Sequence, residues 1–171
     1  MKRIKKLDDY AINEGRKGKV IKAPGKLEGG PSVFLAGSIE MGKAEDWQKT
    51  AEKFLVDSGV VAFNPRRDDW DSSWEQKMDN EKFREQVNWE LDALDLSDAI
   101  LMYFSPETKS PISLLELGLY AHTGKMFVVC PEGFWRKGNV DIVCARYSVP
   151  MFNTIDDALG AIMTRLSIHF Q

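Results

Sequence analysis

The sequence predicts an α/β fold: a flavodoxin-like, three-layer parallel sheet with helices on both faces. Three observations predict it. Short apolar runs recur at 32–36, 60–63, 99–104 and 127–130. Stretches with helical spacing of apolar residues lie between them. The connections are short, and a Gly or Pro closes most elements. Strands that alternate with helices over short connections favour parallel pairing, because each crossover must pack back onto the sheet.

Each element has its own signal. Residues 1–30 are rich in Lys, Arg and Gly, with one β-like run at 19–23 and breaks at Pro24-Gly25 and Gly29-Gly30-Pro31. They read as a basic arm, flexible or accessory, that adds an edge strand. Its charge suits a polyanion or simply solvent. Residues 31–171 read as a single domain. The run 32–36 is a buried strand ending in Gly37-Ser38. Residues 43–58 carry Trp47, Ala51, Phe54 and Leu55 at helical spacing, and Gly59 stops that helix. The strand at 60–63 is closed by Asn64-Pro65. A polar, Trp-rich loop runs from 66 to 74. A long helix is predicted over 75–94, with Met78, Val87, Leu91 and Leu94 on one side. Residues 99–104 are the central strand. A helix follows at 112–123, stopped by Gly124. The strand at 127–130 ends at Pro131, and 150–152 is a last short strand. Thr154, with Asp157 at the capping-box position, opens a final helix striped by Ile155, Leu159, Ile162 and Leu166.

Bulk properties exclude several classes. With 171 residues and 43% hydrophobic content, the chain is large enough for a real core. A net charge of -3 gives no general case for nucleic acid or membrane binding. No apolar run spans a bilayer, and the basic residues 2–6 precede no signal core. Cys130 and Cys144 read as free, buried thiols, so a reducing cytoplasmic location is expected. His122 and His169 have no ligand-spaced neighbours, and neither a metal nor an organic cofactor is expected.

Four clusters converge at the carboxyl edge of such a sheet. Glu116 is a lone acid among Leu114, Leu115, Leu117 and Leu119, on a helix after the central strand. A carboxylate there is costly unless it is paired or used. It reads as a buried structural acid or as a catalytic one. Gly37 and Ser38 open a βα turn through 42, where backbone approaches a ligand and N–H groups meet an anion. An ordinary tight turn has the same look. The loop 64–74 gathers Arg66, Arg67, Asp69, Trp70 and Trp74, which suits a planar heterocycle or a surface ion-pair loop anchored by its indoles. Glu90 and Asp92 on the preceding helix read as solvated acids when taken alone, and Asp98 as a cap at the start of the next strand.

Taken together, Phe34-Leu-Ala-Gly-Ser38, Asn64-Pro65, Asn88-Trp-Glu90 with Asp98, and Glu116-Leu-Gly-Leu-Tyr-Ala121 with Gly124-Lys125 resemble the nucleoside 2-deoxyribosyltransferase family, particularly its divergent transferase-like branch. The resemblance runs from about residue 19 to 150, and the segment at Glu116 is its most specific part. It implies residue roles. Glu116 falls on the family's nucleophile, and Glu90 where many members have an Asp that contacts the leaving base; Asp69, from the loop's own chemistry, is a candidate second contact to that base. Gly37 and Ser38 fall on the loop lining the sugar or its 5′ side. Ser110 stands where transferases for free nucleosides often carry Asp and the related 5′-phosphate N-hydrolases carry a phosphate-contacting Ser. Glu40 departs from the Arg of those hydrolases, and Val33 from the family's Tyr. The resemblance also implies a small-molecule nucleoside or nucleotide as partner, and a homodimer or larger homo-oligomer. The chemistry it implies is N-glycosidic cleavage through a glycosyl-Glu intermediate, with transfer to a base or to water. The rival classes are a nucleotide sensor on the same fold, and an N-glycosidase for a nicotinamide dinucleotide or modified nucleotide.

Overall fold

The computed structural model describes residues 17–39 and 46–169. Among these the elements are β1 (Lys19–Lys22), β2 (Ser32–Gly37), α1 (Trp47–Asp57), β3 (Val61–Asn64), α2 (Glu81–Leu96), β4 (Ala99–Tyr103), α3 (Pro111–Tyr120), β5 (Met126–Val129), α4 (Lys137–Tyr147), β6 (Met151–Phe152) and α5 (Ile155–His169). The strands form one sheet in the order β1-β3-β2-β4-β5-β6, parallel throughout. From β2 onward this is the flavodoxin-like order, with the switch in winding direction between β2 and β4. β1 is added outside β3, where the sequence placed an edge strand. Trp89 donates its indole N–H to the Gly25 carbonyl at 2.7 Å and ties the segment after β1 to α2.

The near-continuous apolar strands are explained by burial on both faces. Phe34, Ala36, Phe63, Ile100, Met102 and Val128 pack on one face with Trp89, Ala93, Leu117, Tyr120, Val140 and Cys144 of α2, α3 and α4. Val33, Leu35, Ala62, Leu101 and Val129 pack on the other with Ala51 and Leu55 of α1 and Leu159, Ile162 and Leu166 of α5. The capping box at Thr154 forms, with the Asp157 N–H donating to its Oγ1 at 3.1 Å. Asp98 accepts from the Ser32 N–H at 2.8 Å, so it joins the starts of two neighbouring strands. Both cysteines are buried free thiols. No helix of the described residues is long and apolar enough to cross a membrane.

Two predictions are corrected. The helix expected over 75–94 begins at Glu81, because the Asn80 side chain accepts from the Phe83 N–H and caps it. Residues 71–80 are turns, and Met78 is exposed instead of lining the apolar face. The helix α4 is unpredicted. Only Val140 and Cys144 of its residues are buried, while Ile142 and Tyr147 are exposed, so its sequence carries no clean stripe. Glu40, Met41 and Gly42, singled out in the first loop, and the greater part of the basic arm lie outside the described residues.

Candidate active site

The carboxyl ends of β2, β3 and β4 bring the singled-out residues to one edge. Gly37 ends β2 opposite Tyr103. Its φ is +129°, and a Cβ there would stand 2.1 Å from the Tyr103 carbonyl oxygen. Only glycine lets the two strands meet so closely at this edge. Ser38 follows, held by its N–H on the Tyr103 carbonyl at 2.9 Å and by the Trp47 indole N–H on its carbonyl at 3.0 Å.

The loop after β4 returns to Ser38. Ser38 Oγ lies 2.7 Å from Thr108 Oγ1 and 2.7 Å from Ser110 Oγ, and those two are 2.8 Å apart. The Ser105 N–H donates to Ser38 Oγ at 2.9 Å. All four residues are buried. Ser110 adopts a left-handed conformation (φ 45°, ψ 54°) just before Pro111 opens α3. A non-glycine residue in that region stores about 1 kcal/mol of strain or more, which marks the start of this helix as a specified point. Thr108 was not singled out from sequence; its spacing from Ser105 and Ser110 after the central strand is the signal.

Glu116 lies on the inner side of α3 and is 8% exposed. Its pKa is raised to about 8, mainly by burial and then by the charge of Glu90. Glu90, on α2, is raised to about 7 by burial, against a hydrogen bond from Gln86 that opposes the rise. The two acids are thus neighbours in poorly solvated surroundings, and the charge of Glu90 discourages the ionisation of Glu116. Glu116 is the more strongly raised of the two.

The 64–74 loop is built around Arg67, not Arg66. The Arg67 side chain is 1% exposed and pairs with Asp69 at 2.9 Å and Glu85 of α2 at 2.9 Å. Its guanidinium lies 5.1 Å from the Trp74 ring centroid, and Trp74 meets Trp70 edge-on at 5.2 Å. Asp69 is therefore committed to Arg67 by two contacts. Trp70 is 40% exposed and is the loop's presented aromatic face. Arg66 donates through Nε to Gln48 Oε1 at 3.1 Å, beside the carboxyl end of β3. The structure thus brings Glu116 together with Glu90, and Gly37 and Ser38 together with Ser110. The side chains of Arg66 and Asp69 are turned to partners within the loop and α1.

An open parallel sheet with a buried acid, Glu116, and a half-buried one, Glu90, close to it makes this an α/β protein with two neighbouring carboxylates. The family follows from comparison. Residues 30–134 match the family model described as nucleoside 2-deoxyribosyltransferase like. The match covers more than half of the chain, and the chain belongs to this enzyme family. No curated protein matches it.

Proposed function

We propose that the protein cleaves the N-glycosidic bond of a deoxynucleoside or its 5′-monophosphate through a covalent intermediate on Glu116. The observation that carries this is the proximity of Glu116 and Glu90 in poorly solvated surroundings, where the proton affinity of both is raised and the charge of Glu90 adds to that of Glu116. A two-carboxylate glycosidic site needs one ionised oxygen and one acid, and because Glu116 is the more strongly raised in the free protein, the bound substrate has to draw the proton onto Glu90. Glu116 attacks C1′ as the C1′–N bond breaks, and the bonding electrons leave with the base. Glu90 delivers its proton to that base. Water or a second base then attacks C1′, Glu90 takes the incoming proton, and the carboxylate of Glu116 is released. Trp70 offers a stacking face for the base. Gly37, Ser38 and Ser110 line the 5′ end, where hydroxyls accept a nucleoside or a monophosphate.

The test is chromatography of a pool of deoxynucleosides and their 5′-monophosphates incubated with the protein, with and without a free acceptor base. Release of base, lost by roughly 10³-fold or more in Glu116→Gln, supports the reading. Base exchange with the acceptor identifies a transferase, and release into water alone a hydrolase. Binding without release favours a nucleotide sensor, for which a neutral buried Glu116 is a suitable ribose ligand. Release only from a nicotinamide dinucleotide or a modified nucleotide favours the other N-glycosidase class.

The assembly implied by the resemblance has a matching surface. Ile112, Leu115 and Leu119 are 58%, 59% and 48% exposed along the outer side of α3. A groove of about 280 Å³ lies between α3 and α4, lined by Leu114, Leu117, Val140 and Val143 together with Arg136 and Asn139. A row of exposed apolar side chains on one helix suits a contact with a second copy of the chain. We place the homodimer contact on this face.

A further inference from the structure

Gln86 stands one helical turn before Glu90 and is 4% exposed. Spacing of four residues puts both side chains on one face of α2. Its amide nitrogen lies 2.7 Å from the Pro65 carbonyl oxygen and 2.7 Å from Glu90 Oε1. An amide NH₂ has two hydrogens, and both are engaged here. The orientation is fixed by chemistry. A carbonyl only accepts, so the nitrogen of Gln86, and not its oxygen, must face Pro65. That leaves Gln86 Oε1 buried with no partner. A bare acceptor inside a fold is a cost. A tie between loop and helix alone has no need of a second hydrogen on Glu90, and rule-breaking of this kind gathers at functional sites.

We propose that Gln86 is a positioning residue for the proton donor: it pins Oε1 of Glu90 to the root of the 64–74 loop, and so leaves Oε2 as the oxygen that carries the proton to the departing base. This rests on the reading of Glu90 as the base's proton partner. A hydrogen bond received at Oε1 uses the lone pair there, so the acid hydrogen of neutral Glu90 resides on Oε2. With Oε1 held, Oε2 has one direction. The same bond stabilises the carboxylate and opposes burial, which moves the group the other way. The titratable group facing Glu90 from a neighbouring helix is Glu116 on α3. Nearby charges are committed elsewhere: Arg67 to Asp69 and Glu85, and Asp95 to the Tyr120 hydroxyl at 2.7 Å.

The test reads Glu90 directly. Protein labelled with carbon-13 at the glutamate carboxyls is titrated by NMR without substrate, and Glu90→Gln assigns the signal. Gln86→Leu and Gln86→Met keep the volume and remove both donors. Each should raise the Glu90 midpoint by about one pH unit, a tenfold gain in proton affinity. Gln86→Glu, which adds a like charge, should raise it further. On a confirmed substrate, Gln86→Leu should lower kcat about tenfold with little change in KM, and move the alkaline limb of the pH profile upward by the same amount. An unmoved midpoint in a folded variant overturns the proposal, whatever happens to the melting temperature, and leaves Gln86 as a loop anchor. A raised midpoint without turnover on any nucleoside or nucleotide supports the tie and overturns the activity it serves.

Discussion

Glu116→Gln should make the protein more stable while ending turnover, and the gain should grow with pH. The group's ordinary pKa is 4.5, and in the fold it rises to about 8, by burial first and by the charge of Glu90 second. Below the ordinary value both folded and unfolded chains hold the proton, and the acid costs nothing. Above it the unfolded chain ionises first, so the fold loses stability until the folded pKa is passed and the penalty levels off. One pKa unit corresponds to about 1.4 kcal/mol. The penalty then grows from about 1 kcal/mol near pH 5 to about 4 kcal/mol near pH 8.5, an upper figure because Glu90 shares the titration. Gln keeps the shape and has no charge to lose. Urea unfolding followed by tryptophan fluorescence should show nearly equal midpoints for the two proteins near pH 5. Near pH 8.5 the variant should lead by about 2–4 kcal/mol. An equal gain at both pH values, or a loss at the higher one, would refute the reasoning. Glu116 would then be an ionised acid held by strong donors.

Further outcomes are expected at other positions. Trp70→Ala should weaken substrate binding with little change in melting temperature, since the ring is exposed; Asp69→Ala should loosen the loop instead, by releasing Arg67. Gly37→Ala should destabilise by about 3 kcal/mol or more, because the added methyl overlaps the Tyr103 carbonyl in a strained backbone; an unchanged denaturant midpoint would contradict this. Leu115→Glu should convert a dimer to a monomer by light scattering, and a monomeric parent protein would remove the α3 contact. Ser110→Asp should shift the ratio of kcat/KM toward the unphosphorylated nucleoside, and an unchanged ratio would take Ser110 away from the 5′ end.

Much of the fold was legible because its signals are local. Phe34, Leu35, Ile100, Leu101, Val128 and Val129 are buried on both faces of a parallel sheet, so their runs are unbroken. Glu116 stood out as one charge in an apolar helix. The rest is tertiary. α4 faces solvent along most of its length, so its apolar residues do not fall into a stripe. The start of α2 was obscured because the polar residues 75–80 read as helix formers, and only the Asn80 cap sets the boundary. Arg67 could not be separated from Arg66 by sequence, since its partner Glu85 is 18 residues away. Gln86 looked like an ordinary polar helix residue, and burial alone distinguishes it. The helix rule for i and i+4 was the available hint.

The hydroxyls of Ser38, Thr108 and Ser110 form one connected ring. Between them run three oxygen–oxygen spans of 2.7, 2.7 and 2.8 Å, and Thr108 Oγ1 is also 3.0 Å from the Ser105 carbonyl. A hydroxyl can both give and receive, so turning one of the three obliges its neighbours to turn with it. The Ser105 N–H, whose direction the backbone fixes, can only donate to Ser38 and so biases the sense in which the ring turns. A group that engaged any one of these hydroxyls would therefore be felt by all three.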